Sequence, residues 1–211
     1  MDIKNLRLNY NKSIIDFKNL TEDPFQYFRR WFVDALKSNK GEANACVLST
    51  VSSDNYPKSR VVLLKEVSDT GFTFFTNYES DKAKDINVNP NVALNFYWPE
   101  LERQVRITGL AKKISINESD IYFKSRPRDS QMGAWLSDQS KVIELDYNFM
   151  DTLNSLERKF KGKKVERPLH WGGYCICPIR IEFWQGRPSR LHDRLVYEID
   201  GKKWNKKRLA P

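Results

Sequence analysis

The sequence predicts a mainly β chain with flanking helices, closed as an antiparallel β-barrel. Three observations carry the class: short β-rich runs separated by Asp, Asn, Gly and Pro turns, helical spacing confined to a few segments, and no alternating strand-helix rhythm of a parallel sheet. The chain has 211 residues, which suits one domain with an additional arm.

In order, residues 1–20 are polar, with Arg7 and Tyr10 among scattered aliphatics, and read as an arm that is mobile unless something docks it. Residues 21–211 read as the single domain. Asp23 and Pro24 open a helix that places Phe25, Phe28, Phe32, Ala35 and Leu36 at helical spacing. After Gly41 come β runs at 45–51, 59–65 and 72–76, divided by turns at 54–57 and 69–71, as in an antiparallel meander. A short helix is predicted over 80–88, stopped by Asn89-Pro90-Asn91, then strands over 92–98 and 103–113. Ser115 and Glu118 form a capping box for a helix that runs toward Arg126 and ends at Pro127, and a further helix is predicted over 145–160. The chain returns to strands at 179–185, 190–199 and 202–207, with an Asp200-Gly201 hairpin turn.

Hydrophobic residues are 40% and aromatic residues 13%, which excludes a disordered chain. No apolar run approaches the length that spans a bilayer, and the first residues lack the basic start and apolar block of a secretion signal, so a cytoplasmic protein with no membrane partner is expected. The balance of 36 Lys+Arg against 27 Asp+Glu gives +9 and points to anionic partners: phosphate esters, nucleic acid or a membrane surface. Cys46, Cys175 and Cys177 read as buried structural thiols, and two histidines add too few ligands for a zinc site, so no metal is expected.

No glycine-rich phosphate loop of the Walker or Rossmann type is present, so side chains must hold any nucleotide. Arg60 and Lys65 bracket Val61-Val62-Leu63-Leu64, either as solvated ends of a strand buried in its middle or as anion ligands. The stretch from Tyr122 through Arg126, Arg128 and Ser130 to Trp135 gathers a phenol, guanidiniums and hydroxyls around a helix break, a donor set suited to a phosphate monoester. Its alternative is a polar turn beside a core tryptophan. Arg190, His192 and Arg194 alternate on one face of a predicted strand, against Leu191 and Asp193 on the other, which fits either an anion or ring between them or a structural salt-bridge ladder. His170, alone before Trp171-Gly172-Gly173, reads as a packing residue.

Seven blocks then resemble, in order, the signatures of the pyridoxine/pyridoxamine 5'-phosphate oxidase family: residues 60–65, 102–105, 125–131, Trp171-Gly172-Gly173, 181–186, 190–194 and the terminal Arg208-Leu209-Ala210-Pro211. The similarity extends from about Arg7 to Pro211. It implies a split-barrel homodimer with FMN in a cleft between subunits, and oxidation of pyridoxine or pyridoxamine phosphate by O2 to pyridoxal phosphate, releasing hydrogen peroxide and, from the amine, ammonia. By matching positions, Arg60, Val61, Val62, Leu63, Leu64, Lys65, Phe75, Thr76, Lys82, Gln104, Gln139, Ser140, Trp184 and Arg194 hold FMN. Lys65, Tyr122, Arg126 and Ser130 grip the substrate phosphate, while Arg190, Leu191 and His192 lie at its ring. Of these, Arg190 and His192 take the catalytic part, orienting the substrate and managing its proton. Arg7 and Tyr10 match arm positions that close over the substrate.

One position departs from the family pattern: Asp81 stands where an arginine is usual, so an anion faces the expected FMN phosphate and weaker FMN binding follows. Rival readings are a split-barrel flavin reductase, a B6-phosphate carrier without turnover, and a nucleic-acid binder. The last is opposed by basic residues that cluster in compact motifs and by the lack of a nucleic-acid-binding signature.

Overall fold

The structure, a computed structural model, describes residues 2–6, 8–38 and 41–211. Helix α1 (Pro24–Lys37) begins where the Asp23 carboxylate accepts the Phe25 N–H, with Pro24 in the first turn. It buries Phe25, Phe28, Trp31 and Ala35. Leu36, expected on that stripe, faces solvent, and Trp31 fills its place against Phe183. Phe28 is fully buried against Phe72 and Phe96, each such ring contributing roughly 1.5–3 kcal/mol of burial.

Nine strands form one antiparallel sheet among the described residues: β1 (Ala45–Val51), β2 (Pro57–Leu63), β3 (Glu66–Val67), β4 (Phe72–Asn77), β5 (Asn91–Trp98), β6 (Arg103–Lys113), β7 (Trp171–Gln185), β8 (Asp193–Asp200) and β9 (Lys203–Leu209). The main path runs β2-β1-β5-β6-β7-β4-β3, and β8 with β9 branches from β7. Curling of this sheet makes the split barrel. The long strand β7 organises it: its first half pairs with β4, its second half with β8, and β6 lines its opposite edge. At the bulge between Thr108 and Gly109 the strands approach so closely that a Cβ on Gly109 would sit 2.3 Å from the Cys177 carbonyl oxygen.

Around the sheet lie α2 (Asp81–Val88), α3 (Ile116–Ser125), α4 (Arg128–Leu136) and α5 (Phe149–Lys159). The Ser115–Glu118 capping box is present. A second apolar cluster, including Phe123, Met132, Phe160 and Trp171, joins α3 to α5 and the start of β7.

Several expectations are corrected. The run over 72–76 does not extend a meander: β2 pairs with β1, the chain turns the corner at Leu64 and Lys65, and β4 pairs with β7. Nor is β2 buried in its middle, because it is an edge strand, and Val61 is 66% exposed. Residues 128–136 form a helix that was not anticipated, and β7 starts eight residues before the expected strand. Arg190 stands in a left-handed turn with φ 61° before β8 begins, so Arg190, His192 and Arg194 do not share a strand face. Cys46 is buried as expected, while Cys175 and Cys177 are only partly so.

The arm is docked from its second half onward. Ile15 is buried in the core, its N–H meets Asp193, and the Lys12 N–H meets Glu102. No helix among the described residues is long and apolar enough to cross a membrane, and no group of three or more His, Cys, Asp or Glu among them could hold a metal ion.

Candidate active site

A cavity of about 590 Å³ opens between the β2 edge, β4, α2 and the α3–α4 corner. One wall is Val61, Val62 and Leu63 with Lys65 just beyond the strand, followed by Phe75 and Thr76 of β4 and Lys82 of α2. The other wall is Tyr122, Ser125, Arg126, Pro127 and Ser130, with Gln139 and Trp171 closing it. Thus most of the residues expected at cofactor and substrate phosphate do converge.

The Lys82 ammonium lies 3.1 Å from Thr76 Oγ1, 3.1 Å from Ser80 Oγ and 3.0 Å from Gln139 Oε1. These acceptors are neutral, and burial, reinforced by nearby Arg60, brings the amine down to about 8. At the opposite wall Phe75, Tyr122 and Trp171 are near-parallel, with Phe75 and Tyr122 stacked at 3.8 Å. The Arg126 guanidinium caps Trp171 at 4.6 Å, and its Nη1 is buried with no hydrogen-bond partner among the described residues. Burial lowers the Arg126 pKa and raises that of Tyr122. A half-buried cation with an unused donor and a second cation held by neutral groups are an arrangement that phosphate oxygens complete.

Other expected residues stand elsewhere. Leu64 is buried in the core. Arg60 is not on the cavity wall: it donates to Thr50 Oγ1 at 2.7 Å and lies 3.8 Å from buried Asp85, with burial lowering its pKa. Ser140, beside Gln139, is exposed with φ 72°. Asp81 opens α2, pairs with Lys84 at 3.4 Å and acts electrostatically on both Arg60 and Lys82.

A second cluster forms at the other end of β7. Gln104, Trp184 and Arg194 occupy one register row across β6, β7 and β8. His192 lies 4.6 Å from Trp184, and Tyr10 from the arm packs edge-on to both rings at 5.8 Å. Arg194 is held by Glu182, a fully buried carboxylate that also takes hydrogen bonds from Arg106 and Arg180. Leu191 is exposed. Arg7 lies outside the described residues. His170 packs as expected, its Nε2 3.1 Å from the Ala134 carbonyl.

Sequence reasoning missed Glu182, Asp85 and the wall position of Ser125. Their partners are distant in sequence, and an acidic residue inside a β run carried no separate signal. Trp171 was quoted only as a motif, although an aromatic before two glycines already marked a close packing point.

Trp171 and Trp184 begin and nearly end the 15-residue strand β7. At ~3.3 Å per residue they are roughly 40 Å apart along the strand, and none of Gln104, Trp184, His192 and Arg194 lines the cavity.

Comparisons with known proteins follow the same division. The profile described as "Pyridoxamine 5'-phosphate oxidase" matches residues 32–150, and "Pyridoxine 5'-phosphate oxidase C-terminal dimerisation region" matches residues 171–211. Proteins named pyridoxine/pyridoxamine 5'-phosphate oxidase are 49% identical in Bordetella pertussis, covering all of both chains, and 48% in Flavobacterium johnsoniae, covering 99% of each. Another, from Hydrogenovibrio crunogenus, is 49% identical over all of this chain and 99% of its own. The crystal structure of PhzG from Burkholderia lata 383, in complex with tetrahydrophenazine-1-carboxylic acid, has TM-score 0.90 at 27% identity, covering 96% of this chain and all of its own. A pyridoxamine 5'-phosphate oxidase-related, FMN binding protein from Nostoc punctiforme shares the fold with TM-score 0.74 at 14% identity, covering 91% of this chain and 100% of its own. Matched by both profiles and by full-length relatives at nearly half identity, the chain belongs to the pyridoxamine 5'-phosphate oxidase family.

Proposed function

We propose that this chain, as a homodimer, oxidises pyridoxamine 5'-phosphate and pyridoxine 5'-phosphate to pyridoxal 5'-phosphate with FMN as cofactor and O2 as acceptor. The amine reaction balances as substrate, O2 and water giving aldehyde, ammonia and hydrogen peroxide; the alcohol needs no water and yields no ammonia. The observation that carries the reading is one cavity with two separate cationic positions, Lys82 and Arg126, flanking a wall of stacked rings.

The donor set fits FMN. Lys82, Thr76 and Gln139 would hold its phosphate, and the edge residues Val61 to Leu63 would meet its ring through backbone groups that an edge strand leaves unpaired. Bound FMN would supply the two-electron acceptor for the substrate C4' carbon, with O2 as the final acceptor. The protein's part is positioning. Lys65, Tyr122, Arg126 and Ser130 would fix the substrate phosphate, and the Trp171–Tyr122–Phe75 wall would exclude water beside it. The cluster of Gln104, Trp184, Arg190, His192 and Arg194 would come from the second subunit, since its own cavity lies at the far end of β7. Residues 1–20, anchored at Ile15 and Lys12, would close over the site with Tyr10 leading.

The test is the visible spectrum of the purified protein. Flavin bands that bleach anaerobically with pyridoxamine phosphate, and return with peroxide release on admission of air, are expected. Bleaching by a reduced nicotinamide but not by B6 phosphates would establish a reductase instead, and a colourless protein that binds B6 phosphates would establish a carrier.

A further inference from the structure

Residues 187–192 form a tight turn whose geometry constrains one ring atom by atom. Ser189 and Arg190 are consecutive left-handed residues, with φ 57° and 61°, a conformation that side chains other than glycine adopt at a cost. The turn is closed twice: the Leu191 N–H meets the Pro188 carbonyl at 3.1 Å, and the Arg187 N–H donates to Nδ1 of His192 at 3.1 Å. A backbone amide can only donate, so Nδ1 must present its lone pair and carry no proton. In the neutral ring the hydrogen therefore sits on Nε2.

Burial, with Arg190 nearby, favours that neutral form over the imidazolium. Nε2 has no hydrogen-bond partner among the described residues, and the ring that bears it is steadied by Trp184 at 4.6 Å and Tyr10 at 5.8 Å. From this geometry we infer that His192 meets the ligand as a hydrogen-bond donor through Nε2–H and is not the base that removes a substrate proton. Its Nδ1 is at the same time the clasp that keeps Arg190 in its left-handed position. The ligand atom it serves is accordingly an acceptor with a free lone pair, and the substrate proton leaves to another group or to solvent. The role at the ligand rests on the proposed function; the tautomer does not.

The ring state is read directly by 15N-resolved NMR of the full-length protein labelled at histidine. A bare Nδ1 with protonated Nε2 at neutral pH is the expected result; a protonated Nδ1, in either the other tautomer or the imidazolium, would overturn the inference. Turnover gives the second arm. His192→Gln keeps a donor near the ε position and should hold kcat within about tenfold, whereas His192→Asn keeps an acceptor for Arg187 but loses the ε donor and should lower it about a hundredfold. Equal collapse of kcat in both variants, with KM unchanged, would mean that the ring acts as a base and would sink the donor role. If the wild-type protein fails to oxidise B6 phosphates yet shows a bare Nδ1, the proposed function falls while the tautomer stands.

Discussion

The Arg126 guanidinium lies 4.6 Å above the Trp171 ring, and the same group buries an Nη1 that meets no acceptor among the described residues. Stacking fixes the plane of the fork while leaving its edge directed at a ligand, which an ammonium on a flexible stem does not reproduce. Arg126→Ala is therefore expected to raise KM for pyridoxamine phosphate roughly 10- to 150-fold, corresponding to ~1.5–3 kcal/mol for a charge-assisted hydrogen bond, with a smaller change in kcat. Arg126→Lys should recover little of it. Thermal melts of the FMN-free Arg126→Met protein should be no lower than wild type, since an unsatisfied buried donor is removed; a large fall in Tm would mean that Arg126 is there for structure.

Lys82 gives a pH signature. Burial holds its folded-state pKa at about 8, below the ordinary 10.5, so between these values the unfolded chain binds a proton that the folded amine has released. Stability of the FMN-free protein should therefore gain from this group as pH rises through that window, and the deficit of wild type relative to Lys82→Met should shrink. Affinity for FMN should run the other way, falling above pH 8 as the cation that faces the phosphate disappears. Denaturant titrations and FMN titrations at matched pH separate the two; parallel trends would show that Lys82 does not contact the phosphate.

How far the sequence reached follows from where partners lie along the chain. The cavity was legible because its donors come in local motifs, Val61 to Lys65 and Tyr122 to Ser130. The length of β7 was not, because Gly172, Gly173 and Pro178 interrupt any β pattern. Pro178 is tolerated since it falls at the bulge, between the stretch paired with β4 and the stretch paired with β8. Helix α4 was hidden by Pro127, which ends α3 and also precedes α4, and by Gly133 within it. The left-handed turn at Arg190 broke an alternation that otherwise read as a strand, and nothing local announces it.

Glu182 illustrates a role that only the fold reveals. Its buried carboxylate takes hydrogen bonds from Arg106, Arg180 and Arg194. Burial alone would push its pKa up, but Arg194 and Arg106 outweigh that and hold it below the usual carboxylate value. Glu182→Gln should cost about 3 kcal/mol in urea unfolding at neutral pH by leaving guanidiniums uncompensated. Because the folded pKa is depressed, the difference should be constant above the unfolded value near 4.5 and vanish as pH falls through the folded one. FMN affinity should drop with it if Arg194 reaches the cofactor; unchanged affinity would detach Arg194 from the site.

Asp81 acts electrostatically on Arg60 and Lys82. It is exposed and shared with Lys84, so its field at Arg60 and Lys82 is partly screened. Asp81→Arg is expected to tighten FMN binding by about fivefold, near 1 kcal/mol, at low salt, and by less at high salt. Titration of the FMN-free protein measures it, and no change at low salt would mean that the side chain points away from the phosphate.

The separation of the two clusters along β7 makes a prediction about stoichiometry. Arg126 lines the cavity at the Trp171 end, and His192 sits against Trp184 at the other; on the proposed reading a complete site would take one cluster from each of two chains. An Arg126→Ala homodimer and a His192→Ala homodimer should each have two defective sites. In a mixed dimer the defects collect in one site: the chain with intact Arg126 would receive intact His192 from its partner, and the other site would carry both lesions. Co-expression with random pairing makes half the dimers mixed, so at substrate near the wild-type KM, where the raised KM of Arg126→Ala silences its sites, about a quarter of wild-type turnover should return. If both clusters instead served a site within one chain, every site in every dimer would keep a lesion and mixing would restore nothing. Differently tagged chains, purified through both tags, sharpen the measurement: the mixed dimer alone should show about half the wild-type rate with wild-type KM.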